Sequence, residues 1–100
     1  MFVILWEYEV KSGCEESFES AYSTAGPWVR LFQRDPRFLH TRLLRDLTRS
    51  RFYFTLDYWE SESAFRQFKQ ENQAAYSEID KLCDGLTLSE RLLTNFQSQT

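Results

Sequence analysis

With one histidine, two cysteines, three glycines and two prolines in 100 residues, the chain has little material for a metal centre, a disulfide framework or a phosphate-cradling loop. His40, Cys14 and Cys83 fit no metal or redox spacing, so no metal site is expected. The cysteines read as reduced thiols, with a structural disulfide the weaker alternative. Scarce glycine and proline argue against a disordered tail or a long linker, although 97–100 should fray. No Ser-His-Asp order is present, and no apolar run is long enough to span a bilayer. Met1–Trp6 is apolar, but it carries no basic residue and runs straight into Glu7 and Glu9, which does not read as a signal peptide. Cytoplasm is the expected location.

A net charge of -3 argues against general nucleic-acid affinity. Seven arginines (Arg30, Arg34, Arg37, Arg42, Arg45, Arg49, Arg51) nonetheless fall in one stretch that holds only Asp35 and Asp46 as acids. Such a run could attract an anion, but it more simply marks a solvated loop and hairpin whose charges pair with the Glu-rich segments. Hydrophobic residues make up 42% of the chain and aromatics 17%, generous for one small core and suggestive of apolar surface left for a partner. The length is that of a single domain, 1–100.

Phe2 to Val10 alternates with period two and is rich in aromatic and β-branched residues, which predicts a strand ending at the turn Lys11-Ser12-Gly13. From Cys14 the apolar positions (Phe18, Ala21, Tyr22, Ala25) take helical spacing, with Glu15, Glu16 and Glu19 placed for the helix dipole. Gly26-Pro27 should break this helix, and a second helical piece, Trp28 to Gln33, follows. Phe38 to Arg45 and Arg51 to Trp59 read as a hairpin turning through Asp46 to Ser50. Ser61 is placed as an N-cap for one long helix whose buried stripe runs Phe65, Phe68, Ala75, Tyr76, Ile79, Leu82 and which stops at Gly85. Arg91 to Phe96 reads as a short last strand, preceded by a turn over Leu86 to Ser89.

The order βαββαβ predicts an α+β, ferredoxin-like fold: a four-stranded antiparallel sheet with both helices on one face. The other face is then bare, yet the strands are apolar on both sides, Val3 and Leu5 lying behind Phe2, Ile4 and Trp6, and Leu39 and Leu43 behind Phe38 and Leu44. Leaving a few hundred Å² of that surface wet would cost several kcal/mol, comparable with the stability of the domain, at ~25 cal/mol per Å². A homodimer through the open sheet face is expected.

The run Phe52-Tyr53-Phe54-Thr55-Leu56-Asp57-Tyr58-Trp59-Glu60-Ser61-Glu62-Ser63-Ala64-Phe65, followed by Phe68, resembles the strand-to-helix signature of the antibiotic biosynthesis monooxygenase-like, dimeric α/β-barrel family. The opening strand, the Lys11-Ser12-Gly13 turn and Leu43-Leu44-Arg45-Asp46 fit the same pattern, so the likeness spans nearly the whole chain. It implies a pocket between helices and sheet in each subunit and, in many members, oxidation of an electron-rich aromatic by O₂ with no metal, flavin or other cofactor. The family also holds haem-degrading enzymes, but the positions at which that branch uses Asn, Trp and His correspond to Trp6, Phe68 and Glu78, and none matches, so that the quinone-forming branch loses its asparagine and tryptophan helpers as well. A cofactor-independent monooxygenase acting on a small aromatic or polyketide-like compound is the resulting expectation. A non-catalytic dimer that binds a small apolar ligand or serves as a scaffold is the alternative.

His40 is the one side chain whose ordinary pKa lies near neutrality. If the hairpin register sets it opposite Asp57, the carboxylate would orient the imidazole as a base; if the register slips by one, Leu56 faces His40 and Asp57 more simply pairs with Arg42. Trp6, Tyr8, Tyr22, Trp28, Phe68 and Tyr76 are candidates to line an apolar pocket, against the plainer reading that they are core. Trp28, just after the Gly26-Pro27 break, is placed to gate an entrance. Glu7 and Glu9 share one strand face, where they would hold a cation or, more simply, make rim salt bridges across a dimer.

Overall fold

Alternating apolar side chains extend Phe2–Val10 into the first strand of a computed structural model that describes residues 1–99. In chain order the elements are β1 (Phe2–Val10), α1 (Glu15–Ala21), α2 (Pro27–Phe32), β2 (Phe38–Arg45), β3 (Phe52–Trp59), α3 (Glu62–Glu71), α4 (Gln73–Cys83), a 3₁₀ turn (Asp84–Leu86) and β4 (Thr87–Gln97). Among the described residues the strands form one antiparallel sheet in the order β2-β3-β1-β4, open at both edges and not closed into a barrel. This is the ferredoxin-like α+β arrangement.

Local chemistry sets the boundaries. Gly13, at φ +87°, turns the chain out of β1 in the left-handed region that suits glycine. Gly26 is required for a different reason: a Cβ there would collide with the backbone carbonyl of Ala21, so α2 can start against the end of α1 only without a side chain. Pro27 then occupies the first position of α2, where its missing N–H costs nothing. Ser61 caps α3 by accepting from the Ala64 N–H at 3.1 Å.

The single long helix expected after Ser61 is two. At Asn72 (φ -122°, ψ 29°) the backbone leaves helical geometry, and both its N–H and its side-chain amide donate to the Phe68 carbonyl. Leu82, assigned to the buried stripe, is 75% exposed because the inner face of α4 runs through Tyr76, Ile79 and Cys83, and Cys83 takes the buried position in the last turn. The last strand begins at Thr87, not Arg91, and absorbs the turn expected over Leu86 to Ser89. Of the segment expected to fray, Gln97 ends β4 and Ser98 N–H donates to Met1 O at 2.9 Å, while Thr100 lies outside the described residues.

The core is aromatic. Phe18, Trp59 and Phe68 are fully buried, and Phe32 meets Trp59 and Phe68 edge-on at centroid distances of 5.6 Å each. On the opposite sheet face Glu7 accepts from Arg49 and Arg91, each at 3.0 Å, which holds its carboxyl below the usual range. Of the arginine run, Arg49 pairs as expected with a glutamate outside the stretch, Glu7, whereas Arg37 on Asp35 and Arg49 on Asp46 pair with acids inside it. The same face carries Val3, Leu5, Phe54 and Leu56, and beside them Leu44 and Phe96 are 44% and 49% exposed.

One irregularity in the β2–β3 hairpin redistributes its side chains. Phe38 pairs with Trp59, but a bulge at Leu39 sets His40 opposite Tyr58 and Thr41 opposite Asp57. Phe38 and Leu43 therefore share the helix-covered face, and Leu44 points the other way, which corrects the expectation that Phe38 and Leu44 lie together.

Candidate functional site

The bulge decides what enters the space between sheet and helices. Had the register of Phe38 and Trp59 continued unbroken, His40 would stand opposite Asp57; the extra residue turns His40 to the outer face, where it is exposed and stacks on Tyr58 at 4.1 Å. The geometry therefore does not bring His40 and Asp57 together. Thr41 takes the inner position and its hydroxyl donates to Asp57 Oδ1 at 2.7 Å. Asp57 Oδ2 has no hydrogen-bond or ion-pair partner among the described residues, and Arg42 lies opposite Leu56 instead. Burial raises the Asp57 pKa to about 6, Thr41 opposing that rise.

A cavity of about 160 Å³ surrounds this carboxylate. β1 supplies Trp6 and Tyr8 on alternate residues, and β3 supplies Thr55 beside Asp57. Tyr22 enters from the end of α1, Trp28, Val29 and Phe32 from α2, and Tyr76 from α4. Five of the six residues expected to bind a ligand thus line one space. The sixth, Phe68, does not: it is fully buried in the core against Phe32 and Trp59. Trp28 is a buried wall residue, edge-on to Tyr76 at 4.9 Å, and not an exposed gate.

The wall's other polar groups are hydroxyls and an indole N–H. Tyr8 and Thr55 share a hydrogen bond of 3.2 Å, and burial raises the pKa values of Tyr8 and Tyr22 well above the ordinary phenol, so both keep their protons. Tyr76 is pushed up to about 12 by burial and then by the carboxylates of Asp57, Asp80 and Glu90. Trp28 Nε1 is buried without a hydrogen-bond partner among the described residues, although the Tyr22 hydroxyl and the Cys83 thiol are its polar neighbours. Exposed Lys69, Asp80 and Glu90 rim the mouth, and Lys69 Nζ sits 4.9 Å from the centre of the Tyr76 ring.

Thr41, Thr55, Lys69, Asp80 and Glu90 are site residues that the sequence did not reveal. Asp80 had a legible signal, since it follows Tyr76 by four residues and so shares its helix face. Glu90 was hidden by the late start assigned to β4.

Comparisons with known proteins agree with the architecture. The family model described as antibiotic biosynthesis monooxygenase matches residues 1–76. No curated protein matches the chain. Among solved structures, SnoaB, a cofactor-independent oxygenase from Streptomyces nogalater, is 20% identical with a TM-score of 0.74, over 99% of this chain and 93% of that one. The heme-degrader MhuD from Mycobacterium tuberculosis, with two hemes bound in its active site, is 23% identical with a TM-score of 0.72, over 100% and 97%. A conserved protein from Methanosarcina mazei is 12% identical with a TM-score of 0.72, over 98% and 92%.

Proposed function

The chain belongs to the antibiotic biosynthesis monooxygenase family, and from that premise we propose that it oxygenates a small electron-rich aromatic, or one ring of a polyketide-like compound, with Asp57 as the proton acceptor. The observation that carries this reading is the free Oδ2 of a buried carboxylate inside an aromatic box. About 150 Å³ is enough for one benzene ring. A phenol in the cavity would donate its proton to Asp57, whose raised basicity suits the task near neutral pH. The phenolate is then rich enough in electrons to react with O₂ directly. Replacing the ring C–H by C=O consumes one O₂, one oxygen atom entering the quinone and the other leaving as water with the hydrogens lost from ring and hydroxyl, so no further reductant is needed.

Haem does not fit. The cavity is below the ~300–1,000 Å³ of ordinary ligand sites, His40 lies on the other sheet face, and Tyr8 and Tyr22 are held protonated. The outer sheet face, where Leu44 and Phe96 are exposed beside half-buried Leu5, Phe54 and Leu56, supports a homodimer through the sheet, which sedimentation equilibrium at micromolar concentration tests; a monomer there refutes it.

The activity is tested with an oxygen electrode against hydroquinones and anthrones, wild type beside Asp57→Asn. Uptake that the substitution lowers by about 10²-fold or more is expected. No uptake with any substrate would leave a non-catalytic ligand-binding module, and equal uptake in both proteins removes Asp57 from the chemistry.

A further inference from the structure

The mouth of the cavity has a charge pattern that the oxygenase reading does not use. Asp80 on α4 and Glu90 on β4 both border it, and neither has an ion-pair or hydrogen-bond partner among the described residues. Arg91 is directed to Glu7 on the outer sheet face, and Lys69, the cation at the rim, lies over Tyr76. Burial, and then repulsion by Asp80 and Asp84, raises the pKa of Glu90, as expected where carboxylates gather without a counter-ion. Deeper in, Asp57 presents an unpartnered oxygen, and the walls between mouth and floor are lined by Trp6, Tyr8, Tyr22, Trp28 and Tyr76. Lining and rim thus hold three carboxylates and one ammonium. An aromatic wall with carboxylates at both ends attracts positive charge and repels negative.

We infer that the ligand is a phenol bearing a cationic arm, an arylalkylamine, with its ring in the aromatic box and its ammonium group at the mouth between Asp80 and Glu90. The placing of its hydroxyl on Asp57 rests on the proposed oxygenase reading; the reading of charge at the mouth does not. The ammonium of Lys69 on the Tyr76 ring marks the kind of contact the arm would make. The two mouth carboxylates lie beyond residue 76, outside the segment matched by the family model.

Calorimetric titration at neutral pH and low ionic strength tests it with three ligands of similar shape: tyramine, 4-ethylphenol and 3-(4-hydroxyphenyl)propionate. Tyramine should bind about tenfold more tightly than the neutral phenol and the carboxylate most weakly, two partly exposed carboxylates each contributing a few-fold. Asp80→Asn combined with Glu90→Gln, both exposed positions, should bring the three within about twofold of one another. Equal or tighter binding of the carboxylate, an order that survives in the double variant, or no binding of any of the three overturns the inference. Absence of oxygen uptake with the binding order intact counts against the oxygenase reading alone.

Discussion

Replacing Asp57 by Asn should make the protein more stable at neutral pH while lowering the proposed oxygen uptake by about 10²-fold or more. The carboxyl ionises near pH 6 in the fold against an ordinary 3.8, because burial disfavours its charge and the Thr41 hydroxyl compensates only in part. Each pH unit of that gap is worth about 1.4 kcal/mol, so keeping Asp57 ionised in the fold costs about 3 kcal/mol above pH 6. The sign follows from proton counting. Between about pH 4 and pH 6 the folded state holds a proton that the unfolded chain has lost, so this group makes stability fall as pH rises; below pH 4 the cost vanishes. Asn keeps an oxygen for Thr41 and carries no charge. Urea denaturation of both proteins from pH 3.5 to 7.5 should show Asp57→Asn ahead by about 2–3 kcal/mol at pH 7.5, a midpoint about 1–2 M higher, with the gap closing towards pH 4. Comparing two proteins that share every other titrating group isolates this one. A variant no more stable than wild type at pH 7.5, or a gap that persists in acid, would refute the claim that Asp57 is buried without a counter-charge.

His40→Ala should leave ligand affinity and oxygen uptake within about twofold of wild type, because the ring lies on the outer face against Tyr58; a tenfold loss measured at the oxygen electrode would contradict this placement. Gly26→Ala should destabilise by about 1–3 kcal/mol in urea melts, since its methyl meets the Ala21 carbonyl and α2 must shift, carrying Trp28 with it; a neutral effect would show that the α1–α2 junction can relax. Phe68→Ala should cost about 3–5 kcal/mol while leaving the affinity of the remaining folded protein unchanged, as befits a core residue that does not line the cavity. A change in affinity with little change in stability would return Phe68 to the site.

The order of elements, the antiparallel sheet with helices on one face and most of the aromatic wall were legible because period-two and helical spacing report directly on which face a side chain takes. Trp6 and Tyr8 could be assigned to a pocket for that reason. The His40 reading failed on one residue, Leu39, whose bulge shifts every later side chain of β2 to the opposite face. Alternation cannot announce a bulge in Phe38-Leu39-His40-Thr41, where apolar residues sit side by side and either phase buries something. Asn72 hid the helix break in a similar way, since Phe68 and Ala75 are seven residues apart and keep a helical stripe in phase across it.

A buried acid with no cation beside it asks for a reason, because folding alone would favour an amide or an apolar residue at that position. Here the same bulge that withdraws His40 delivers Thr41, a neutral donor that orients one carboxylate oxygen and leaves the other bare. An arginine in place of Thr41 would stabilise the charge and lower its basicity; a neutral hydroxyl holds the geometry and lets the pKa stay high. Tolerated strain of this kind concentrates where a group must accept a proton from something that is not part of the protein. Burial among these aromatic rings is what raises the Asp57 pKa, which ties the cavity's lining to the proposed proton transfer.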